Sequence, residues 1–152
     1  MIRKLFETHI NVLNLDRSMA FYENILDLKL GTLDQKRRVA FYWIGGQNVS
    51  MLGLWEQLSG GFGSQHFAFE VSQEDLEQWI KRLVDNQIEI HNFLNTDDKR
   101  PLVFGWMPAV SIYFPDPDGH ELEIIATLPD RARPEVGIVS WADWKSMIKS
   151  DP

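Results

Sequence analysis

Apolar and polar positions follow a pattern that occurs twice along the chain. Thr8–Leu15 alternates as a short strand does, and Gln65–Val71 does so again further on. After each strand, apolar residues recur at helical spacing, and a shift of 57 positions superimposes the first strand and helix on the second. The superimposed pairs are His9 and His66, Met19 and Leu76, Tyr22 and Trp79, and Leu26 and Leu83. Two unrelated segments would seldom agree at four such positions, so the pattern predicts an internal repeat.

Three predicted strands follow each predicted helix. They are Leu28–Leu33, Arg38–Ile44 and Val49–Trp55 in the first half, and Ile88–Phe93, Val110–Phe114 and His120–Ala126 in the second. Gly45–Gly46 and Asp116–Gly119 are the predicted turns between the last two strands of each half. Each half is therefore predicted to be a βαβββ module, with Asp16 as the N-cap of the first helix.

The domain boundaries follow from this pattern. We expect one domain over residues 1–130, with modules at about 1–57 and 64–128 joined by the glycine-rich Leu58–Ser64. Asn95–Ala109 is predicted to be an inserted loop, in which Trp106 is the candidate to cover a partly apolar ligand. In the tail, 131–152, Trp141–Lys149 is predicted to be a short amphipathic helix that covers the domain or contacts a second copy.

Composition excludes several classes of protein. The chain has 152 residues and a net charge of -7, with 15 Lys and Arg, so a basic nucleic-acid surface is not expected. We find no apolar run long enough for a transmembrane helix and no pattern of a secretory signal, and we expect a cytoplasmic protein. The absence of cysteine excludes disulfides, zinc fingers and a cysteine nucleophile.

Any bound metal must therefore be held by histidine and carboxylate side chains. His9 and His66 are equivalent under the repeat, and Glu123 lies among apolar neighbours, where an inward carboxylate needs neutralising. Two imidazoles and one carboxylate leave open positions on a six-coordinate metal ion. A single strand histidine is more often a hydrogen-bonded structural residue, and it is the repeat that favours ligation. Packing or solvated roles are expected for His91, His120 and Glu121.

Three segments resemble the vicinal oxygen chelate superfamily, which includes glyoxalase I, bleomycin-resistance proteins, extradiol dioxygenases and fosfomycin-resistance thiol transferases. They are THINVLNLDRSMAFYENILDLKLG, QHFAFEV and SIYFPDPDGHELEI. The resemblance implies an α+β fold in which two βαβββ modules form a shared cup-shaped mixed sheet around a metal site. It also implies one divalent ion (Mn, Fe, Zn or Ni) on His9, His66 and Glu123, and a homodimer.

Within that superfamily the chain resembles the fosfomycin-resistance thiol transferases. Ser111 and Tyr113 match their Ser-x-Tyr-Phe element and are the expected catalytic residues. Asn11, Trp106 and Arg131 are the expected substrate-binding residues. Val103–Pro108 is apolar where that group carries lysine and serine, and a phosphonate dianion would require more positive charge. We therefore expect metal-dependent thiol transfer or addition to a small oxygen-chelating substrate, with a thiol as co-substrate.

Two alternatives remain open. A glyoxalase-like isomerase needs a carboxylate base in the first module, where alignment on the turns places Ser50 opposite Glu123. Glu121, Glu56 or a residue of a second subunit would then have to serve as that base. A bleomycin-resistance type of protein would bind a drug without catalysis. An extradiol dioxygenase is disfavoured because His91 and His120 are poorly placed for proton transfer.

Overall fold

The protein divides into two compact units. The structure is a computed structural model that describes residues 1–58 and 61–150. One unit comprises residues 1–65 and 116–120, and the other comprises 66–115 and 121–152. Gly60, which belongs to the predicted joint between the modules, lies outside the described residues.

The first unit contains a four-stranded mixed sheet and one helix. Its elements are β1 (Glu7–Val12), α1 (Leu15–Asn24), β2 (Lys29–Asp34), β3 (Val39–Ile44) and β4 (Ser50–Glu56). The strand order is β1-β4-β3-β2, with β1 parallel to β4 and the other pairs antiparallel. Alternate apolar residues of β3 and β4 are buried together with Tyr22 of α1, which fixes the inner face of the sheet.

The N-cap of α1 differs from the prediction. Asn14, not Asp16, is the capping residue, because its side chain accepts a hydrogen bond from the Arg17 amide at 2.9 Å. Asp16 lies in the first turn of the helix, where its negative charge still interacts favourably with the helix dipole. The predicted strand therefore ends earlier, at Val12.

The second unit repeats this arrangement and extends it. Its elements are β5 (His66–Glu70), α2 (Leu76–Asp85), β6 (Leu102–Phe104), β7 (Ala109–Pro115), β8 (Glu121–Thr127), β9 (Ile138–Ser140) and α3 (Trp141–Lys149). The strand order is β5-β8-β7-β6-β9, the same order as in the first unit with β9 added at one edge. The predicted α+β class, the paired βαβββ modules and the tail helix are confirmed.

One predicted strand is wrong. Ile88–Phe93 is not a strand; only His91 forms a bridge, to Tyr113. The side chain of the buried Asn92 instead accepts from the amides of Leu94 and Thr96 at 3.1 Å, which turns the chain. The strand that pairs with β7 on the side opposite to β8 is β6, which lies inside the predicted loop and whose three residues are buried and apolar.

Residues 116–120, between β7 and β8, belong to the first unit. The buried Asp116 carboxylate accepts from the His120 amide at 2.8 Å, the Asp118 amide at 2.9 Å and the Tyr22 hydroxyl at 3.0 Å. Gly119 has a φ of 82°, which favours glycine at this turn. His120 is buried; it donates through Nε2 to the Asn11 carbonyl at 2.7 Å and accepts at Nδ1 from the Gln65 amide. His120 is thus a packing residue, as expected.

None of the helices in the described part of the chain is long and apolar enough to cross a membrane.

Replacing Asp116 by alanine is expected to lower the free energy of unfolding by about 3 kcal/mol, because two amides and a hydroxyl lose their buried acceptor. Chemical denaturation measures the change. The control is Asp97→Ala, at an exposed aspartate, which should leave stability almost unchanged. Equal losses in the two variants would show that the Asp116 carboxylate does not stabilise this turn.

Candidate metal and substrate site

His9 lies on β1 in a setting built by neighbouring strands. Its ring contacts Phe41 and Trp55, with ring centroids 5.6 Å apart in both cases. Gly53 is its partner on β4, and a Cβ there would lie 2.8 Å from Cδ2 of the imidazole. Only glycine leaves room for the ring in this position. The Nε2 atom of His9 contacts the Glu7 carboxylate.

Glu7 is not among the residues predicted for the site. It is two residues before His9 on the same strand and therefore shares its face, a signal that was available from the strand period.

Strand register corrects the position equivalent to Glu123. β1 pairs Asn11 with Trp55, and β5 pairs Ala68 with Glu123. Since Asn11 and Ala68 are equivalent under the repeat, Trp55 occupies the place that alignment on the turns gave to Ser50. Ser50 instead donates its hydroxyl to the Leu5 carbonyl at 3.1 Å. The first unit therefore offers an indole, not a carboxylate, at this position.

Glu56 is committed to other contacts. Its carboxylate accepts from the Arg38 guanidinium at 2.8 and 2.9 Å and from the Leu15 amide at 2.8 Å. These hydrogen bonds lower the pKa of Glu56 to about 2. So acidic a group is a poor base at neutral pH, which disfavours Glu56 as the base of an isomerase.

In the second unit the structure brings His66 and Glu123 together. His66 Nε2 lies 3.3 Å from Glu123 Oε2. The Nδ1 atom donates to the Glu121 carbonyl at 3.0 Å, which fixes the ring and turns Nε2 toward Glu123. Metal-binding histidines are held in this way by a hydrogen bond from the other ring nitrogen.

Glu123 has the environment of a residue that requires a cation. It is only 5% exposed, and its Oε1 atom has no hydrogen-bond partner among the described residues. A buried carboxylate oxygen without a partner is costly unless a positive charge neutralises it. The donor set of His66 and Glu123 therefore fits a divalent cation. Within neither unit, however, do the described residues gather three histidine or carboxylate side chains that could hold a metal ion.

Tyr113 stands opposite Glu123 in the pairing of β7 with β8. Burial, and after it the negative charge of Glu123, raises the pKa of Tyr113 well above its usual value, so the phenol stays protonated. Its ring stacks on His66 at a centroid distance of 5.6 Å. Ser111, on the same face of β7, is buried, and its hydroxyl has no hydrogen-bond partner within the described ranges.

His91 and Glu121 form a pair beside His66. His91 Nε2 lies 3.1 Å from Glu121 Oε1, and the His91 ring also stacks on Tyr113. A cavity of about 190 Å³ lies here, lined by His66, His91, Phe93, Asn95, Tyr113 and Glu121. The side chain of Glu121 is half exposed, in keeping with the solvated role expected for it.

A second cavity, of about 380 Å³, opens beside Glu123. It is lined by Phe93, Phe104, Trp106, Met107, Tyr113, Glu123, Ile125, Pro134, Gly137 and Ile138. Trp106 therefore lies where a ligand could contact it, at 63% exposure. Arg131 is exposed and does not line this cavity, and Asn11 lies on β1 next to Trp55 in register. The roles of Asn11, Trp106 and Arg131 in substrate binding stay predictions.

Comparison with known proteins identifies the family. The model of the glyoxalase/bleomycin resistance protein/dioxygenase superfamily matches residues 4–124. This chain belongs to that superfamily. The metallothiol transferase FosB of Staphylococcus epidermidis is 34% identical, over 80% of this chain and 80% of that protein.

Two solved structures are similar to this chain. An integron cassette protein from the mobile metagenome of the Halifax Harbour sewage outfall is 38% identical, with a TM-score of 0.69; the match covers 82% of this chain and 99% of that one. The fosfomycin resistance protein FosX of Listeria monocytogenes is 26% identical, with a TM-score of 0.64 and coverage of 84% and 94%. The resemblance deduced from the three sequence segments is thus confirmed.

Replacing Gly53 by alanine is expected to displace the His9 ring, because the new methyl group would lie 2.8 Å from Cδ2 of the imidazole. It would also lie 3.0 Å from Phe41 Cε1. The ring resonances of His9 should shift in NMR spectra of the metal-free protein, and Mn²⁺ affinity should fall about tenfold. Gly63→Ala is the matched control, since nothing lies within 4 Å of its added Cβ. Unmoved His9 resonances would contradict the steric role of Gly53.

Proposed function

We propose that this protein is a divalent-metal-dependent thiol transferase that joins a thiol to a small oxygen-chelating substrate. The observation that carries the proposal is Glu123, a buried carboxylate beside the oriented Nε2 of His66, with one oxygen that no described residue hydrogen-bonds. The similarity to a metallothiol transferase and to a fosfomycin resistance protein supports the same reaction.

His9, His66 and Glu123 are the proposed metal ligands. When bound, a divalent ion of Mn, Fe, Zn or Ni provides Lewis acidity for two adjacent substrate oxygens. Gly53 gives the His9 ring its space, and the Glu121 carbonyl fixes the His66 ring.

The chain's own contribution to the chemistry is orientation and hydrogen bonding. In thiol addition the sulfur bonds to an electrophilic carbon, the bond from that carbon to a neighbouring oxygen breaks, and the thiol proton ends on that oxygen. Tyr113 stays protonated beside Glu123 and donates a hydrogen bond to the oxygen that gains charge. Ser111 lies on the same face of β7 as a second hydroxyl. No base from the protein is required.

Isomerisation is the second candidate reaction and is less well supported. It requires a base that moves a proton between adjacent carbons. Trp55 occupies the position equivalent to Glu123, and Glu56 is held by Arg38 with a lowered pKa. Binding of a drug without catalysis is the third candidate, but a purely sequestering pocket has no need of the unpartnered Glu123 oxygen.

The homodimer and the cytoplasmic location stay predictions. The edge strands β1 and β5 carry backbone groups that a second copy can pair with, which supports the dimer.

Replacing Glu123 by glutamine should preserve the fold and weaken Mn²⁺ binding by more than about 100-fold, because a neutral amide loses the charge attraction to the ion. Titration calorimetry measures the affinity. Glu121→Gln is the matched control on the same face of β8; it keeps the main-chain carbonyl that holds His66 and should bind Mn²⁺ as the unaltered protein does. Unchanged affinity in Glu123→Gln would make this carboxylate structural.

The manganese, nickel and zinc forms should all isomerise the methylglyoxal–glutathione adduct slower than about 1 s⁻¹, because Trp55 occupies the position equivalent to Glu123 and the Glu56 carboxylate is held by Arg38. Formation of lactoylglutathione is followed by absorbance. In parallel, consumption of glutathione, cysteine and other thiols with a small epoxide that carries two metal-binding oxygens should depend on the added metal. Isomerisation above that rate would overturn the choice between the two reactions.

A further inference from the structure

The walls of the cavity beside Glu123 are more apolar and less basic than a phosphonate-binding site requires. Eight of its ten lining residues are apolar or glycine, and the polar groups on its wall are Tyr113 and Glu123. No lysine or arginine is among these lining residues. A dianion would therefore meet a carboxylate here and no compensating side-chain cation.

Part of this wall comes from the C-terminal segment, residues 134–138. The segment lies beyond residue 124, where the match to the superfamily model ends. The segment ends at the first residue of β9, which pairs with β6 and places Ile138 opposite Phe104. The segment thus adds apolar surface to the same cavity wall to which β6 and the following turn contribute Phe104, Trp106 and Met107.

Main-chain contacts hold the wall in place. The Gly105 amide donates to the Gly137 carbonyl at 2.8 Å, and the Arg133 amide donates to the Gly105 carbonyl at 2.7 Å. A Cβ on Gly105 would lie 2.5 Å from the Arg133 carbonyl oxygen, so the two segments approach as closely as glycine allows. Behind them, the buried Trp144 of α3 donates through Nε1 to Asp130 at 2.8 Å. The cavity is therefore preformed.

We propose that the substrate carries an apolar group about the size of an aromatic ring, attached to the oxygens that chelate the metal, and that this group occupies the cavity between Trp106 and Ile138. The proposal rests on the proposed function and adds the substrate class. A volume of about 380 Å³ lies in the range of small-molecule sites, which are mostly apolar with a few polar groups that orient the ligand. Tyr113 and Glu123 are the orienting groups.

Two compounds with the same chelating group test the proposal. Acetohydroxamate and benzohydroxamate each offer two adjacent oxygens, and only the second carries a ring. Titration calorimetry with the Mn²⁺-loaded full chain measures both, after correction for their affinity for free Mn²⁺. Burial of the ring should make benzohydroxamate bind about 10- to 50-fold more tightly. Methylphosphonate, a dianion, should bind more weakly than benzohydroxamate.

Variants locate the ring. Trp106→Ser acts at an exposed turn, and Ile138→Thr keeps a β-branched residue in β9, so both should fold. Each should reduce the preference for benzohydroxamate about threefold or more, with little effect on acetohydroxamate. The control is Trp79→Ala, which removes a tryptophan of α2 outside this cavity and should leave the preference intact.

The outcomes separate the two proposals. Equal binding of both hydroxamates, lost in Glu123→Gln, would overturn the apolar substrate and leave the metal-dependent function standing. A preference that survives Trp106→Ser and Ile138→Thr would place the ring elsewhere and overturn the inference, as would tighter binding of methylphosphonate. Binding of neither hydroxamate would overturn the proposed function, and the inference with it.

Discussion

The burial of Glu123 is the constraint on which the candidate site depends. A carboxylate that is only 5% exposed, with one oxygen that has no hydrogen-bond partner in the described part of the chain, is costly to bury unless a positive charge lies beside it. The surrounding residues are arranged for such a charge: His66 directs Nε2 at the carboxylate, and Tyr113 remains a neutral donor because the same burial raises its pKa. A cation at this point satisfies the carboxylate that the apolar walls have desolvated.

The two halves of the repeat support their histidines by different means. In register, Gly53 is the β4 partner of His9, and Glu121 is the β8 partner of His66. Glycine at the first position removes a side chain that would strike the ring, so His9 is placed by packing against aromatic residues. At the second position the main-chain carbonyl accepts from the ring, so His66 is placed by a hydrogen bond. One repeat thus yields two equivalent imidazoles with unequal surroundings.

Much of this was predictable because it depends on periodicity. The repeat, the class of fold and the bounds of α3 follow from strand and helix spacing, which local sequence records. The prediction of a strand at Ile88–Phe93 was wrong because the Asn92 side chain accepts hydrogen bonds from the main chain there, an effect that the hydrophobic pattern does not reveal. The prediction that Ser50 is equivalent to Glu123 was wrong because strand register depends on pairing with β1 and not on distance from a turn. The cavity walls at 134–138 were missed because they come from a single 3-10 turn, Pro134–Val136, and from the start of an edge strand of three residues.

The asymmetry of the repeat bears directly on the reaction. A symmetric pair of modules would supply a carboxylate from each half, and the second carboxylate could act as a base. Here Trp55 takes that position, and its indole packs against His9. The neighbouring Glu56 faces the Arg38 guanidinium instead, which keeps it ionised and weakly basic. Neither Trp55 nor Glu56 is thus suited to take a proton from carbon, which favours the proposed attack by a nucleophile that arrives with its own proton over isomerisation.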